Sequence, residues 1–329
     1  MTRPLVACTV ITRNRLAHAR VLASTVHEHT RGARLVALLL DDPEGDVGNE
    51  VFEIIRPDQL GLDDVEFLRM AAMYEGLELS CAMKPWAIDY VLAHEGAVLY
   101  LDSDVEVFAA LDPIQTLVLE HSLVLTPHLT DPPPKSPSPG EEETRLVGGV
   151  YNNGFLGISR AATPFLHWWR ERLSRYCLDV LEEGFFVDQR WADLAPAYFP
   201  SHVLRDPGSN VAPWNLVTRS VSETGDGYRV DGVPLRFFHF SGFDPERPYL
   251  LSKWLLPVPH TLLSEHPALA KICREYARKL MEAGYAEASR VPYGFAGPVR
   301  EARRAYREAL LAAERTGAAE PPNPLSNST

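Results

Sequence analysis

Three short apolar runs constrain the fold most: "LVACTVI" (Leu5–Ile11), "RLVALLL" (Arg34–Leu40) and "AVLYL" (Ala97–Leu101), each bounded by polar residues. Continuous apolar runs of this length read as strands buried on both faces, as in parallel sheets covered by helices. Between the first two, "RLAHARVLASTVHEHT" repeats Leu16, Ala19, Leu22, Ala23 and Val26 at helical spacing. Strand, helix and strand in this order predict an α/β fold of Rossmann-like layout. Further strands are expected in "HSLVLTPH" and "VYNNGFLGIS". A strong helix is expected in "TPFLHWWRERLSRYCLDVL", with Thr163 as N-cap and Pro164 at the first helical position.

The segment "LTDPPPKSPSPGEEETR" is rich in proline and acid and lacks periodicity, which predicts a long mobile loop over 130–145 that can act as a lid. After residue 258, "HPALAKICREYARKLMEAG" and "GPVREARRAYREALLAAER" are helical in pattern. The domain expectation is therefore an α/β unit over 1–257, a small helical C-terminal extension over 258–316 and a disordered tail over 317–329.

With a formal charge of -12, the chain lacks the basic stripe that a nucleic-acid backbone demands, so no nucleic-acid partner is expected. Cys8, Cys81, Cys177 and Cys273 are scattered without a CxxC pair, which suggests neither a zinc site nor a disulfide framework. No run approaches the ~20 apolar residues of a membrane span. "LVACTVI" is too short for a secretory core, and the basic "TRNR" follows it rather than precedes it. A cytoplasmic protein is the expectation.

The candidate chemistry centres on "YLDSDVEVF", where Asp102 and Asp104 stand at the carboxyl end of a central strand, the edge at which open α/β sheets bind ligands. In an extended segment, positions two apart point the same way, so both carboxylates can face one cation. Hard cations take carboxylate oxygens, and manganese also accepts imidazole. His239, in "LRFFHFSGFDP", follows an apolar run and is the candidate third ligand.

The order of "AMKPWAIDYVL", "AVLYLDSDVEVF", "VYNNGFLGIS", "FVDQRW", "PWN" and "FFHFSG" resembles glycosyltransferase family 8 and related bacterial retaining enzymes of the GT-A fold, over roughly Val6 to Lys253. The resemblance implies a GT-A type mixed sheet flanked by helices. It implies transfer of a sugar from a nucleoside-diphosphate sugar, UDP-linked, to a glycan, lipid-linked, protein or small-molecule acceptor with retention of configuration. Asp102, Asp104 and His239 would then ligate Mn²⁺ or Mg²⁺ on the donor diphosphate. Lys84 would lie near the diphosphate or donor sugar. Asn152 would touch that sugar, with Gly154 allowing close backbone approach. Asp188 would hold sugar hydroxyls, Gln189 would lie beneath the anomeric carbon, and Trp214 and Asn215 would lie near sugar and acceptor.

Thr9, Thr12 and Asn14 are candidate base or ribose contacts, as are Asp41 and Asp42, while Arg13 and Arg15 can bring charge to phosphate. Ser103 is expected to point away from the ion, toward the ribose or the protein. The chain departs from the family in three places. Asn153 fills a small-residue position, "RWAD" follows the Asp-Gln pair, and Pro245 stands where a phosphate-binding lysine is usual. Gly242 is retained, and Lys253 is the substitute cation. Two alternatives stand beside this reading: a phosphohydrolase of the HAD type using the DxD pair, and a non-catalytic sugar-binding relative.

Overall fold

The computed structural model of the chain describes residues 4–42, 47–134, 141–255 and 261–325. The expected apolar runs form strands β1 (Val6–Ile11), β2 (Arg34–Leu39) and β4 (Ala97–Leu101); β3 (Glu53–Ile55), β5 (Val105–Val107), β6 (Leu123–Pro127) and β7 (Tyr151–Ser159) complete the set used below. Among the described residues the main sheet has seven strands, in the order His202–Val203, β6, β7, β4, β1, β2, β3. β4, β1, β2 and β3 run parallel, while β7 runs antiparallel to both β4 and β6. The sheet is mixed and flanked by helices, as the sequence predicts.

Alternate residues of each central strand serve opposite layers. Ala7, Ile11, Leu35, Leu39, Leu99 and Leu101 join the cluster beneath helix Leu16–His29. Val6, Cys8, Val36, Leu38, Val98 and Tyr100 join the one beneath helix Lys84–His94. This two-sided burial explains why the strands read as unbroken apolar runs. All four cysteines are buried and unpaired.

The topology concentrates the chemistry at one edge. Because β1, β2 and β4 are parallel, Thr12, Asp41 and Asp102 follow strands that end on the same side. Antiparallel β7 begins there, and Asp102 N–H donates to Gly154 O at 2.9 Å. β5 pairs antiparallel with Phe237–His239, which sets His239 opposite Val105, and Phe240 N–H donates to Asp104 O at 2.8 Å.

Several expectations are corrected. The helix after Ser159 spans Thr163–Tyr176, with Ala162 as N-cap; the Thr163 hydroxyl donates back to Arg160 O at 2.7 Å instead of capping. The helix stops before "LDV", because Leu178–Val180 pairs with Phe185–Val187 in a hairpin. In the expected loop, Glu141–Gly148 is helical; residues 135–140 lie outside the described set, as does the boundary at 257/258.

Helices Pro267–Glu282 and Arg300–Thr316 form as the periodicity predicts. Both contribute to the main hydrophobic clusters, the first through Ile272, Tyr276 and Leu280, the second through Tyr306 and Leu310. The Tyr276 ring stacks on Phe240 with centroids 3.7 Å apart. The tail is not frayed through Leu325: Glu320 pairs with Arg69 at 2.6 Å, and Asn323 Nδ2 donates to Leu68 O at 3.1 Å. Among the described residues, no helix is long and apolar enough to cross a membrane.

Arg303 anchors the last helix. Its buried guanidinium donates to the carbonyls of Ala71 (2.6 Å), Tyr74 (2.7 Å) and Pro298 (3.0 Å). Replacing it with alanine would leave buried acceptors without donors, at a cost of about 3 kcal/mol. Urea unfolding of Arg303→Ala should show that loss. Arg303→Lys should recover only part of it, because an ammonium cannot reproduce the planar fork.

Candidate active site

The Asp102–Asp104 segment is a turn rather than an extended strand end: Val105 N–H donates to Asp102 O at 3.1 Å. The turn, and not the alternation of an extended strand, brings both carboxylates together with His239. One donor atom from each of the three lies within 4.8 Å of the others. His239 Nε2 is 3.2 Å from Asp104 Oδ1 and 3.9 Å from Asp102 Oδ2. The Asp102 and Asp104 side chains are 30% and 20% exposed and His239 only 5%, so the carboxylates open to solvent while the imidazole forms the floor.

Burial alone would raise the Asp104 pKa, but the His239 imidazole outweighs it and holds the carboxyl well below its ordinary range. Burial likewise opposes charge on His239, and Asp104 overcomes it, raising the imidazole pKa.

A hydrogen-bond network fixes the imidazole. Asn152 Oδ1 accepts from His239 Nδ1 (3.3 Å), Asn210 Nδ2 (3.1 Å) and Gly154 N–H (3.2 Å). Its Nδ2 donates to Gln189 Oε1 at 3.0 Å and lies 3.4 Å from His128 Nε2. Gln189 Nε2 donates to Gly148 O at 3.3 Å. With Nδ1 engaged by Asn152, Nε2 faces the carboxylates, where a cation could displace its proton and take the nitrogen as a ligand, which is how metal-binding imidazoles are oriented. The donor set and its preset orientation fit a hard or borderline divalent cation.

Lys84 is neither solvated nor a cap. It is buried at the start of helix Lys84–His94, 3.1 Å from Asp188 Oδ2 and 3.3 Å from Asp102 Oδ1, and it donates to Asn153 O at 3.0 Å. Burial opposes its charge, but Asp102 and Asp188 hold it ionised with a pKa well above normal. Asp188 does not cap helix Gln189–Ala192; its side chain makes no cap hydrogen bond.

Gly154 is where a strand must pass a side chain closely. A Cβ there would lie 2.3 Å from His239 Cε1 and 2.6 Å from its Nδ1.

The remaining sequence candidates divide into two sets. Thr12 Oγ1 donates to Asn14 Oδ1 at 2.6 Å at the β1 edge, and Ser103 is buried between the two aspartates. Trp214 sets its ring edge-on to His239 (5.3 Å) and to His128 (5.2 Å). Asn215 is committed locally, donating to Asn210 O (2.9 Å) and His128 O (3.3 Å) and accepting from Ala212 N–H (2.9 Å).

Asp41 accepts from Arg13 N–H (2.7 Å) and Gly294 N–H (3.0 Å), and Asp42 pairs with Arg56 (2.7 Å), so both carboxylates already hold the protein together. Gly242 has φ +72°, and a Cβ there would meet Trp254 Cδ1 at 2.4 Å; Lys253 N–H donates to Gly242 O at 2.9 Å, and its ammonium lies over the Trp254 ring at 4.4 Å.

Sequence reasoning missed Tyr100, His128 and Asn210. Tyr100 OH donates to Asp102 Oδ1 at 2.9 Å. His128 donates from Nδ1 to Val150 O at 3.1 Å, and burial with the Arg145 charge holds it neutral, so Nε2 can accept from Asn152. Asn210 Nδ2 donates to Asn152 Oδ1 at 3.1 Å. Among the described residues, Thr9 Oγ1, both amide atoms of Asn153, Asn210 Oδ1 and Trp214 Nε1 are buried without hydrogen-bond partners, as are atoms elsewhere in the fold such as Tyr276 OH and Tyr293 OH.

No protein-family model matches the chain. It is 28% identical over 249 residues to the uncharacterized protein YfnF of Bacillus subtilis (strain 168), covering 72% of this chain and 80% of that one. With YfnD of the same strain the identity is 26% over 250 residues, covering 71% and 76%. Among solved structures it is similar to the galactosyltransferase LgtC in complex with donor and acceptor sugar analogues. That likeness has 16% identity and a TM-score of 0.48, and covers 83% of this chain and 95% of the other.

Gly154→Ala should test the architecture. The added methyl would displace His239 from both Asn152 and the carboxylates. The variant should fold but lose any stabilisation by Mn²⁺ in a thermal melt, whereas Gly184→Ala, with nothing within 4 Å of its Cβ position, should keep it despite its strained φ.

Proposed function

We propose that the chain is a glycosyltransferase that uses a divalent cation and a UDP-sugar, and transfers the sugar to an acceptor with retention of anomeric configuration. One observation carries this reading: a continuous hydrogen-bonded line runs from Gln189 through Asn152 to His239 and the Asp102–Asp104 turn. It couples a cation-ready carboxylate pair to an amide suited to a sugar ring. The ordered sequence motifs that resemble family 8 support the same assignment.

In this reading Asp102, Asp104 and His239 hold Mn²⁺ or Mg²⁺, which supplies Lewis-acid stabilisation to the departing diphosphate. Thr9, Thr12, Asn14 and Ser103 line the nucleotide side, and Gly242 with Lys253 borders the phosphates. Burial raises the Asp188 carboxyl pKa, and the Lys84 ammonium 3.1 Å away opposes that rise and aims the group, so that it can hydrogen-bond sugar hydroxyls. Asn152 fixes which end of the Gln189 amide faces the site, and the Gln189 oxygen stabilises positive charge developing at the anomeric carbon. Trp214 offers a ring face and an indole N–H to sugar or acceptor, with Asn215 holding the loop that carries it. A phosphohydrolase using the DxD pair would leave His239, Asn152 and Gln189 without work.

Thermal unfolding with Mn²⁺ and UDP tests the reading. Saturating ligand should raise the midpoint by about 4 °C, since binding at 100 times Kd contributes about 2.7 kcal/mol against an unfolding entropy of about 0.7 kcal/mol/K for a chain of this length. Asp104→Asn should abolish both that shift and Mn²⁺-dependent UDP release from the matching sugar. A wild-type chain indifferent to every Mn²⁺–nucleotide pair would overturn the assignment, and an inverted product would overturn the role of Gln189.

A further inference from the structure

The candidate site is short of positive charge. Three carboxylates, Asp102, Asp104 and Asp188, face one ammonium, Lys84. A divalent cation would balance the remaining two negative charges and leave nothing for a diphosphate. Lys253, which borders the phosphates in this reading, holds its ammonium over the Trp254 ring, and Arg15 offers a further fixed cation at the same edge. It ends the turn that follows β1, its backbone N–H donates to Thr12 O at 2.8 Å, and its side chain is exposed. Among the described residues it pairs with no carboxylate.

Its guanidinium is nevertheless held. Nη1 lies 3.1 Å from Nε2 of His18, one turn further along. His18 is 4% exposed, with its ring edge-on to Tyr285 at 5.7 Å. Burial, the Arg15 charge and the neighbouring Asp104 set its ionisation, the first two prevailing, so that its pKa is pushed down to about 3 and the ring is a neutral acceptor. A guanidinium anchored through one nitrogen, open to solvent and lacking an acid partner is preorganised for an incoming oxyanion.

We propose that Arg15, aimed by His18, is the diphosphate-reading residue of this site, with Arg15 touching the ligand and His18 acting as its positioning residue. The assignment rests on the nucleoside-diphosphate reading above.

Calorimetry with Mn²⁺ tests it, using UDP, GDP, ADP and dTDP to find the nucleotide that binds, and the matching nucleoside and inorganic pyrophosphate as competitors. Arg15→Gln should weaken the nucleoside diphosphate and pyrophosphate by about tenfold or more while leaving the nucleoside within twofold. Arg15→Lys should recover part of the loss. His18→Leu should weaken the diphosphate by about threefold to fivefold, add nothing in the Arg15→Gln background, and be rescued by His18→Gln, which restores an acceptor. Unchanged melting temperatures without ligand separate these effects from misfolding. The proposal falls if Arg15→Gln alters diphosphate binding by less than twofold, if the nucleoside weakens equally, or if the His18 effect persists without Arg15. A wild-type chain that binds none of the four nucleotides removes the donor reading itself, an outcome distinct from a wild type that binds and an Arg15 variant that binds equally well.

Discussion

The candidate site depends on the orientation of one amide, that of Asn152. Its oxygen faces three donors and its nitrogen faces Gln189 Oε1 and a neutral His128 nitrogen. Turning the amide over would set its NH₂ against Gly154 N–H and the Asn210 amide nitrogen, donor against donor, so the network admits one assignment. That assignment makes His239 Nδ1 a donor and therefore aims Nε2 at the carboxylates. A single side chain thus couples the carboxylate turn to the short helix bearing Gln189, although the two are far apart along the chain.

Around that hub the charges are interlocked. Lys84 is expensive to bury alone, and Asp188 and Asp102 are expensive to bury without it. Deleting Lys84 would leave the buried Asp188 without a counter-charge, whereas deleting either aspartate would leave Lys84 one partner instead of two. Lys84 also donates to the carbonyl of Asn153, the residue after Asn152, so the ionic cluster and the amide network meet on the same strand. The geometry at the cation-ready turn is set from both sides at once, by hydrogen bonding through His239 and by charge through Asp102.

Much of the fold was legible because two-sided burial writes itself as unbroken apolar runs, as in Val6–Ile11 and Ala97–Leu101, and one-sided burial as helical spacing, as in Leu16 to Val26. The site's ligands were legible as residue types in order. What the sequence hid were outcomes of tertiary pairing. "CLDVL" continues the apolar spacing of Leu166, Trp169 and Leu173 and so reads as more helix, yet Leu178–Val180 finds a strand partner in Phe185–Val187. The Asp102–Asp104 turn could not be told from a straight strand end by two alternating acids. His128 and Asn210 carry no local signal, since their partners Val150 and Asn152 are distant along the chain, whereas Tyr100 reaches Asp102 only two residues on. Glu320 looked like fraying tail because its partner, Arg69, lies 251 residues earlier.

The backbone carries the cost of this arrangement at two places. Val187 has φ +39° and Asn210 φ +50°. Asparagine tolerates the left-handed region, but a β-branched valine does so only under compulsion, at about 1–3 kcal/mol. Val187 is the last residue of its hairpin strand, directly before Asp188 and Gln189. An extended residue there would carry the chain onward, whereas the left-handed step turns it so that Asp188 meets Lys84 and Gln189 meets Asn152 within two residues. The ion pair and the amide bond together offset the strain, and they do so only because both partners are already held, Lys84 by its helix and Asn152 by β7. The strained valine and the buried amide network are therefore two sides of one constraint: the sheet edge holds Asn152 and Lys84 in place, and the hairpin bends to meet them.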